Sequence, residues 1–301
     1  MARPLRLHPQ GHERPVAMSE EALPAEMLHR AAPPGSSLDY ALRLAPRSRR
    51  AALQAIAAYS AEIRRIPLEV NEPEVARAKV HWWRTELTRI LDGYGNHPLA
   101  TPLTTAIHEH KLPGADLRAL LDEADRTLDG DRADTFHEQC KLAERYGAAP
   151  LRLAARVLTG EEADTYASTL GAAVTLTRTL RLQGLAARHG DSDLPREILE
   201  QAGVPARGGI LQRDATPHPA LLDALTKQAE ALAPLYPRAA RQAPQSRAAQ
   251  RALHPLTAYG AIHQALLAEL RRRPAEILRG RLTLQPLRKV WIAWRGRIRA
   301  P

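Results

Sequence analysis

Apolar residues recur along most of the chain at spacings of three and four, the pattern of helices that bury one face. No stretch alternates apolar and polar residues convincingly enough to indicate a sheet. Between residues 47 and 66, for example, the apolar positions include Ala51, Leu53, Ile56, Ala57, Ile63 and Ile66. The pattern predicts an all-α protein.

Proline, glycine and capping residues divide this pattern into elements. A short helix at 36–46 is predicted to end at Pro46, and the helix at 47–66 is predicted to end or kink at Pro67. Asn71 is predicted to cap a helix that stops at residues 92–93. Further helices are predicted at 98–110, 114–129, 131–146, 148–158, 161–189, from 195 onward, and at 218–235, 246–272 and 285–296, with a loop at 204–217 and proline-rich joints at 234–244 and around 274 and 286.

Composition supports one helical body. Of 301 residues 44% are hydrophobic, with a single Phe, so packing rests on aliphatic residues, of which Ala and Leu favour helices. We find no repeat of fixed period and no domain boundary. We therefore predict a flexible N-terminal tail at 1–34, one domain at 35–296 and a basic C-terminal tail at 297–301.

Cysteine content and hydropathy bear on location. The single cysteine, Cys140, excludes an intramolecular disulfide and a cysteine-based metal cluster, which suits a reducing compartment. The N-terminus lacks the apolar segment of a secretory signal, and no run of 18 apolar residues is present. We expect a cytoplasmic location, which extends to peripheral attachment at the inner face of the membrane.

The formal net charge of +10 favours anionic partners: a membrane surface, a nucleic acid or an acidic protein. Residues 271–299 are basic and include Trp291 and Trp294. Such a stretch can lie on an anionic membrane surface, although an ordinary last helix with a basic tail is the alternative. No recognised nucleic-acid module accompanies it, so a nucleic acid is not the expected partner.

Five segments stand in a fixed order between residue 36 and about residue 295. They are Ser36-Ser37 with Tyr40, Pro46 with Arg49-Arg50-Ala51, residues 74–87 (EVARAKVHWWRTEL), His97-Pro98, and residues 170–195 with Gly171, Leu180-Arg181 and Leu194-Pro195. Together they resemble the squalene/phytoene synthase family, in particular its presqualene diphosphate synthase-like and complex I assembly factor-like subgroup. The resemblance implies a single isoprenoid-synthase-type helical bundle around a central cavity, and Mg²⁺-dependent head-to-head condensation of isoprenoid diphosphates.

The same resemblance shows where this chain departs from the family. Each of two family helices carries an Asp-x-x-x-Asp motif that holds Mg²⁺ against the diphosphates. Here the first motif's positions fall at Arg64 and Leu68, and the second motif's at Leu182 and Ala186. None of these side chains offers the oxygen ligands that Mg²⁺ requires. We therefore predict no catalytic residue, no metal ligand and no cofactor, with Mg²⁺ expected only if the chain is an active enzyme.

Four arginines near the motif positions are candidates for binding an anion: Arg64, Arg65, Arg178 and Arg181. If the two motif helices face each other across the cavity, some of these side chains point into it. Arginine can hold phosphate oxygens through paired hydrogen bonds without a metal. Pairing with Glu62 and Glu69, or exposure on a solvated face, is the alternative.

Three functions remain open. The leading hypothesis is a non-catalytic isoprenoid- or lipid-binding or assembly protein at the membrane surface, with an isoprenoid diphosphate, a lipid or a protein as partner. The second is an active head-to-head prenyltransferase with non-standard ligands, which predicts that Glu62, Glu69 or another acid lines the cavity. The third is a basic nucleic-acid-binding helical protein.

Overall fold

A computed structural model describes residues 23–70, 72–188, 193–204, 219–279 and 282–299, with 185–188 and 296–299 described by their backbone only. Within these ranges the chain is helical and contains no strand, which confirms the all-α prediction. Among the described helices, none combines the length and the apolar composition that crossing a membrane requires.

The helices before the midpoint are α1 (Ala25–Ala31), α2 (Ser37–Leu44), α3 (Arg47–Glu69), α4 (Pro73–Leu91), α5 (Ala100–His110), α6 (Gly114–Leu128), α7 (Phe136–Leu142) and α8 (Ala149–Thr159). A π-helical turn, Ala143–Gly147, connects α7 to α8, and a 3-10 turn, Gly160–Ala163, follows α8. The later helices are α9 (Asp164–Arg188), α10 (Arg196–Gln201), α11 (Pro219–Leu232), α12 (Leu235–Arg241), α13 (Arg247–Ala252), α14 (His254–Arg272), α15 (Pro274–Arg279) and α16 (Pro286–Arg299).

The long helices α3 and α9 are the two centres of packing. Helix α3 contacts α1, α5 and α6, whereas α9 contacts α12, α14 and α15, and α8 packs against both. Side chains of α3, α6 and α8 are fully buried, among them Ile63, Leu117 and Leu153. Each such side chain stabilises the fold by about 1.5–3 kcal/mol relative to exposure. Because α8 contacts both long helices, it joins the two groups.

Helix α4 is tied to the turn that follows it. The Glu86 carboxylate is 1% exposed, and its Oε1 accepts hydrogen bonds from the backbone N–H groups of Asn96 (2.5 Å) and His97 (2.7 Å). The Trp83 ring packs against the His97 ring at 4.6 Å and against Tyr59 of α3 at 5.7 Å. These contacts fix α4 against α3 and set the turn that leads into α5.

A close approach of backbones locates α15. The added methyl group of an alanine at position 184 would overlap the carbonyl oxygen of Ile277 and the backbone of Leu278. Gly184 lies in the second half of α9, so the missing side chain lets α15 lie directly on that helix. Neither backbone group can move aside as a flexible side chain could.

The structure departs from the prediction at the N-terminus. A tail was predicted for residues 1–34, but α1 lies within this range. Met27 is buried, and Leu23 and Leu28 pack against the core. The apolar face of this short helix therefore extends the body toward the N-terminus, while residues 1–22 lie outside the described part.

Two proline predictions differ from the structure. Pro67 does not end α3, which continues to Glu69 and closes with a hydrogen bond from the Val70 N–H to the Ile66 carbonyl. The alternative, a kink at Pro67, stays a prediction. The predicted joint at 234–244 contains α12, in which Pro234 is the N-cap and Pro237 lies in the first turn. First-turn residues need no N–H donor, so proline fits there without loss. The predicted Asn71 cap and most of the 204–217 loop lie outside the described residues.

Candidate functional site

A cavity of about 560 Å³ lies between α2, α3, α8, α9 and α14. Most of its wall is aliphatic. The apolar lining includes Leu38, Ala41, Leu42, Leu53, Ile56, Ala57, Leu151, Ala154, Leu158, Val174 and Leu256. Its size and apolar character suit a small amphipathic molecule whose hydrocarbon part can leave water.

The lining of the cavity includes three of the four motif positions. On α3, Arg64 and Leu68 are one turn apart and both line it; on α9, Arg178 and Leu182 do the same. Residues four apart share one face of a helix, so each pair presents two side chains to the cavity. Both helices thus contribute motif positions to the lining of one cavity. Ala186 lies four residues further along α9, but its side chain is outside the described part.

Arg64 is anchored from two sides. Its Nη2 donates a hydrogen bond to the carbonyl oxygen of Gly147, at 2.9 Å, and lies 3.4 Å from Oε2 of Glu123 on α6. Burial lowers the pKa of Arg64, and the nearby Arg178 lowers it further, whereas Glu123 opposes the change. The guanidinium is therefore a positive charge in a poorly solvated place, held by a carbonyl and one carboxylate.

The Gly147 carbonyl links α3 to α9. Its carbonyl oxygen also accepts a hydrogen bond from Thr175 Oγ1 of α9, at 2.9 Å. A side chain at position 147 would collide with Thr175, because its Cβ would lie 2.6 Å from the Thr175 methyl carbon. The glycine therefore allows Arg64 and Thr175 to reach the same carbonyl, which lies at the end of the π-helical turn.

Arg178 differs from Arg64 in having no acid. Within the described part of the chain it makes no hydrogen bond and no ion pair, yet it lines the cavity and is half-buried. Its electrostatic influence falls on two other groups, Arg64 and His263, and it disfavours the charged form of both. A cationic side chain in this position is a ready partner for an anion that enters the cavity.

Arg65 is paired with acids of its own helix, which was the alternative to anion binding in the sequence analysis. It binds Glu69 with its Nε at 2.9 Å and Nη2 at 2.6 Å, and Glu62 lies 3.5 Å from its Nη1. The hydrogen bond between Arg65 and Glu69 raises the pKa of Arg65 and lowers that of Glu69. Arg65 and Glu69 line the cavity edge, whereas Glu62 lines only an adjoining groove beside α4.

Arg181 lies away from the cavity lining. It influences the pKa of His263 on α14 and of Lys289 on α16, so it belongs to the side of α9 that faces these helices. His263 is buried, and its Nδ1 lies 2.8 Å from the Tyr259 carbonyl oxygen. Burial, with Arg178, Arg181 and Lys289 nearby, lowers the pKa of His263 to about 3. This histidine is neutral at ordinary pH.

Sequence reasoning missed Glu123, Gly147 and Thr175. Glu123 lies on α6 between Asp122 and Asp125, which both bind Arg84. Its contact with Arg64 spans 59 residues, and the contact of Gly147 with Arg64 spans 83. These pairs form only when the helices pack together, and no local sequence pattern predicts them.

Comparison with known proteins agrees with this architecture. The family model for squalene/phytoene synthase matches residues 32–288. The chain is 27% identical over 192 residues to a presqualene diphosphate synthase from Rhodopseudomonas palustris, a match that covers 63% of this chain and 68% of that protein.

Two solved structures share the fold. A dehydrosqualene synthase crystallised with a ligand superposes with a TM-score of 0.76 at 16% identity, covering 91% of this chain and 95% of that one. The squalene synthase HpnC from Alicyclobacillus acidocaldarius superposes with a TM-score of 0.68 at 18% identity, covering 82% and 93%. The structural likeness concerns the fold, and the family model covers most of the sequence. The chain therefore belongs to the squalene/phytoene synthase family.

Proposed function

We propose that this chain is a non-catalytic family member whose cavity binds an amphipathic anion of the isoprenoid diphosphate class. The observation that carries the proposal is Arg178, a guanidinium that lines an apolar cavity without an acidic partner in the described part of the chain. A bound anion supplies that partner, and a hydrocarbon chain fills the aliphatic wall. The relatives named above act in isoprenoid chemistry, which suggests the ligand class.

The residues at the motif positions do not suit magnesium. Arg64 repels a divalent cation, and Leu68 and Leu182 have no ligand atom. The nearby carboxylates of Glu69 and Glu123 are each in contact with an arginine. In the described residues, no three His, Cys, Asp or Glu side chains are grouped so that they could hold a metal. Stabilisation of a leaving diphosphate by Mg²⁺ therefore has no support at the motif positions.

Arginine can replace part of what a metal does in binding, because it pairs with two phosphate oxygens at once. Arg178 is available for this contact. Its positive charge lowers the pKa of the nearby Arg64. An anion between them would relieve this repulsion. Tight retention without bond cleavage is the expected outcome.

Isothermal titration with farnesyl diphosphate in the presence of a chelator tests the proposal. We expect binding, and a loss of roughly 10- to 100-fold in affinity for Arg178→Gln, the range for a charge-assisted hydrogen-bonded pair. Arg65→Gln is the matched control, because Arg65 lies at the cavity edge but is already paired with Glu69. Equal losses in both variants, or no binding by the unmodified protein, would contradict the proposal.

One observation favours a second candidate, an active prenyltransferase with different ligands. Glu69 lines the cavity, as that hypothesis predicted, although it is ion-paired with Arg65. Incubation with farnesyl diphosphate, Mg²⁺ and NADPH separates the two functions. Diphosphate release that a chelator abolishes, and that Glu69→Gln removes, would establish the enzyme and refute the non-catalytic role.

A further inference from the structure

Helix α16 exposes a continuous apolar stripe. Eight large apolar side chains are exposed in the described part of the chain, and half of them lie on this helix. They are Leu287, Val290, Trp291 and Trp294. Their spacing of three and four places them on a single face. Trp291 and Trp294 each expose more than half of their surface, so the stripe contains two large aromatic groups in water.

The opposite face of α16 holds the helix on the body. Ala293 is buried, and Ile292 packs against the core. Lys289 donates a hydrogen bond to the Gly35 carbonyl oxygen at 3.0 Å, and Arg288 binds Glu269 at 2.6 Å. At 3.6 residues per turn, positions 289, 292 and 293 lie across the helix from the apolar stripe. The packing of α16 on α14 and α2 therefore presents the stripe outward.

The chain segment that carries the stripe has charges of one sign. Residues 277–301 contain seven Lys and Arg residues and no Asp or Glu. The Arg295 guanidinium lies 4.8 Å from the centre of the Trp291 ring, so a cation borders the aromatic surface directly. Indole rings favour the boundary between lipid headgroups and acyl chains, and arginines beside them reach the phosphates.

We propose that α16 docks the protein on an anionic lipid bilayer, with the helix parallel to the surface and the stripe of Leu287, Val290, Trp291 and Trp294 inserted at headgroup depth. The absence of any acid over 25 residues favours a uniformly anionic surface over a protein face of mixed charge. This inference concerns the outer surface and holds whatever the cavity binds.

Vesicle sedimentation tests the docking. The full chain is mixed with vesicles of phosphatidylcholine alone, or of phosphatidylcholine with roughly one-third phosphatidylglycerol. We expect sedimentation with the anionic vesicles only. Trp291→Ser/Trp294→Ser should weaken it by about tenfold or more, because both interfacial anchors are lost. Trp82→Ser is the matched control, since Trp82 is also exposed but lies on α4.

The charge contribution has its own pair of variants. Arg297→Gln/Arg299→Gln should weaken anionic binding by roughly tenfold, whereas Arg247→Gln/Arg251→Gln removes two exposed charges from α13 and should change it little. Thermal unfolding of every variant shows whether the helical body is intact.

Failure of the unmodified protein to sediment with anionic vesicles would overturn the proposal. Equal binding by the double tryptophan variant would also overturn it. A concentration-dependent dimer that Trp291→Ser/Trp294→Ser converts to a monomer, without an effect of lipid, would assign the stripe to a second copy of the chain instead.

Discussion

The carboxylate of Glu123 neutralises a positive charge at the cavity, and its removal should have two opposite effects. Glu123→Gln keeps the size of the side chain and removes only its charge. Arg64 then retains the Gly147 carbonyl but loses its one acid, while Arg178 remains nearby. We expect a less stable unliganded protein that binds an anion more tightly.

The magnitude follows from the geometry. At 3.4 Å and an effective dielectric constant of about 20, the attraction between two unit charges is about 5 kcal/mol. Desolvation of both groups offsets much of this, and each side chain keeps about a fifth to a quarter of its surface exposed. We expect a net loss of about 2 kcal/mol in the free energy of unfolding, which corresponds to a fall of about 3 °C in Tm.

The chain provides a matched control in Arg77 and Asp129. Their N–O distance is 3.3 Å, nearly that of Arg64 and Glu123, but both side chains are more than half exposed. Asp129→Asn should therefore cost less than about 1 kcal/mol. Chemical denaturation of both variants measures the difference, and titration with farnesyl diphosphate should show roughly five- to tenfold tighter binding by Glu123→Gln. Equal stability losses, or weaker binding, would refute the reasoning.

Three further predictions concern the scaffold. Gly184→Ala should cost about 1–3 kcal/mol in thermal unfolding, because its methyl group meets the backbone of α15, and more than Gly260→Ala, whose methyl group meets only a leucine side chain; equal costs would contradict this. Glu86→Ala leaves two N–H groups without their acceptor and should cost about 2–4 kcal/mol in urea unfolding, a prediction that a neutral result would exclude. Since the pKa of His263 is about 3 in the folded protein and 6.5 for an unperturbed histidine, the unfolded chain binds the extra proton, so stability should fall as pH decreases from about 6.5 to about 3. Over this range the free energy of unfolding of His263→Gln should fall by up to about 1.4 kcal/mol less per pH unit than that of the unmodified protein. Parallel pH profiles of the two proteins would show that this histidine does not contribute.

The helical body could be predicted because local signals suffice for it. Pro73 in the first turn and the glycine at position 93 bound α4 as expected. The joint predicted at 234–244 was wrong because proline fits the first turn of a helix. The sequence alone does not show where that first turn begins. Pro67 was predicted to end or kink α3, and the helix does end soon after it, with only Leu68 and Glu69 following the proline.

Several residues behind the family resemblance maintain the scaffold. Arg84 binds Asp122 at 2.7 Å and Asp125 at 2.6 Å, which joins α4 to α6. Glu86 and His97 form the turn after α4. Asp122 and Asp125 of α6 are therefore partners of an arginine. Such pairs depend on how helices pack, so the sequence alone could place Arg64 and Arg178 near a cavity but could not tell which of them has an acid.

The shared carbonyl of Gly147 has a consequence for substitutions at position 64. Arg64 and Thr175 use this oxygen to couple α3 to α9 within the protein, without a metal or a ligand. An aspartate at position 64 is too short to keep this link, and it would add a negative charge on the side where Glu123 already supplies one. Arg64→Asp should therefore uncouple α3 from α9 at this point and leave Glu123 without its cation. The effect of a substitution at position 64 thus depends on the residues at 123, 147 and 175, which makes these four positions an energetically coupled set.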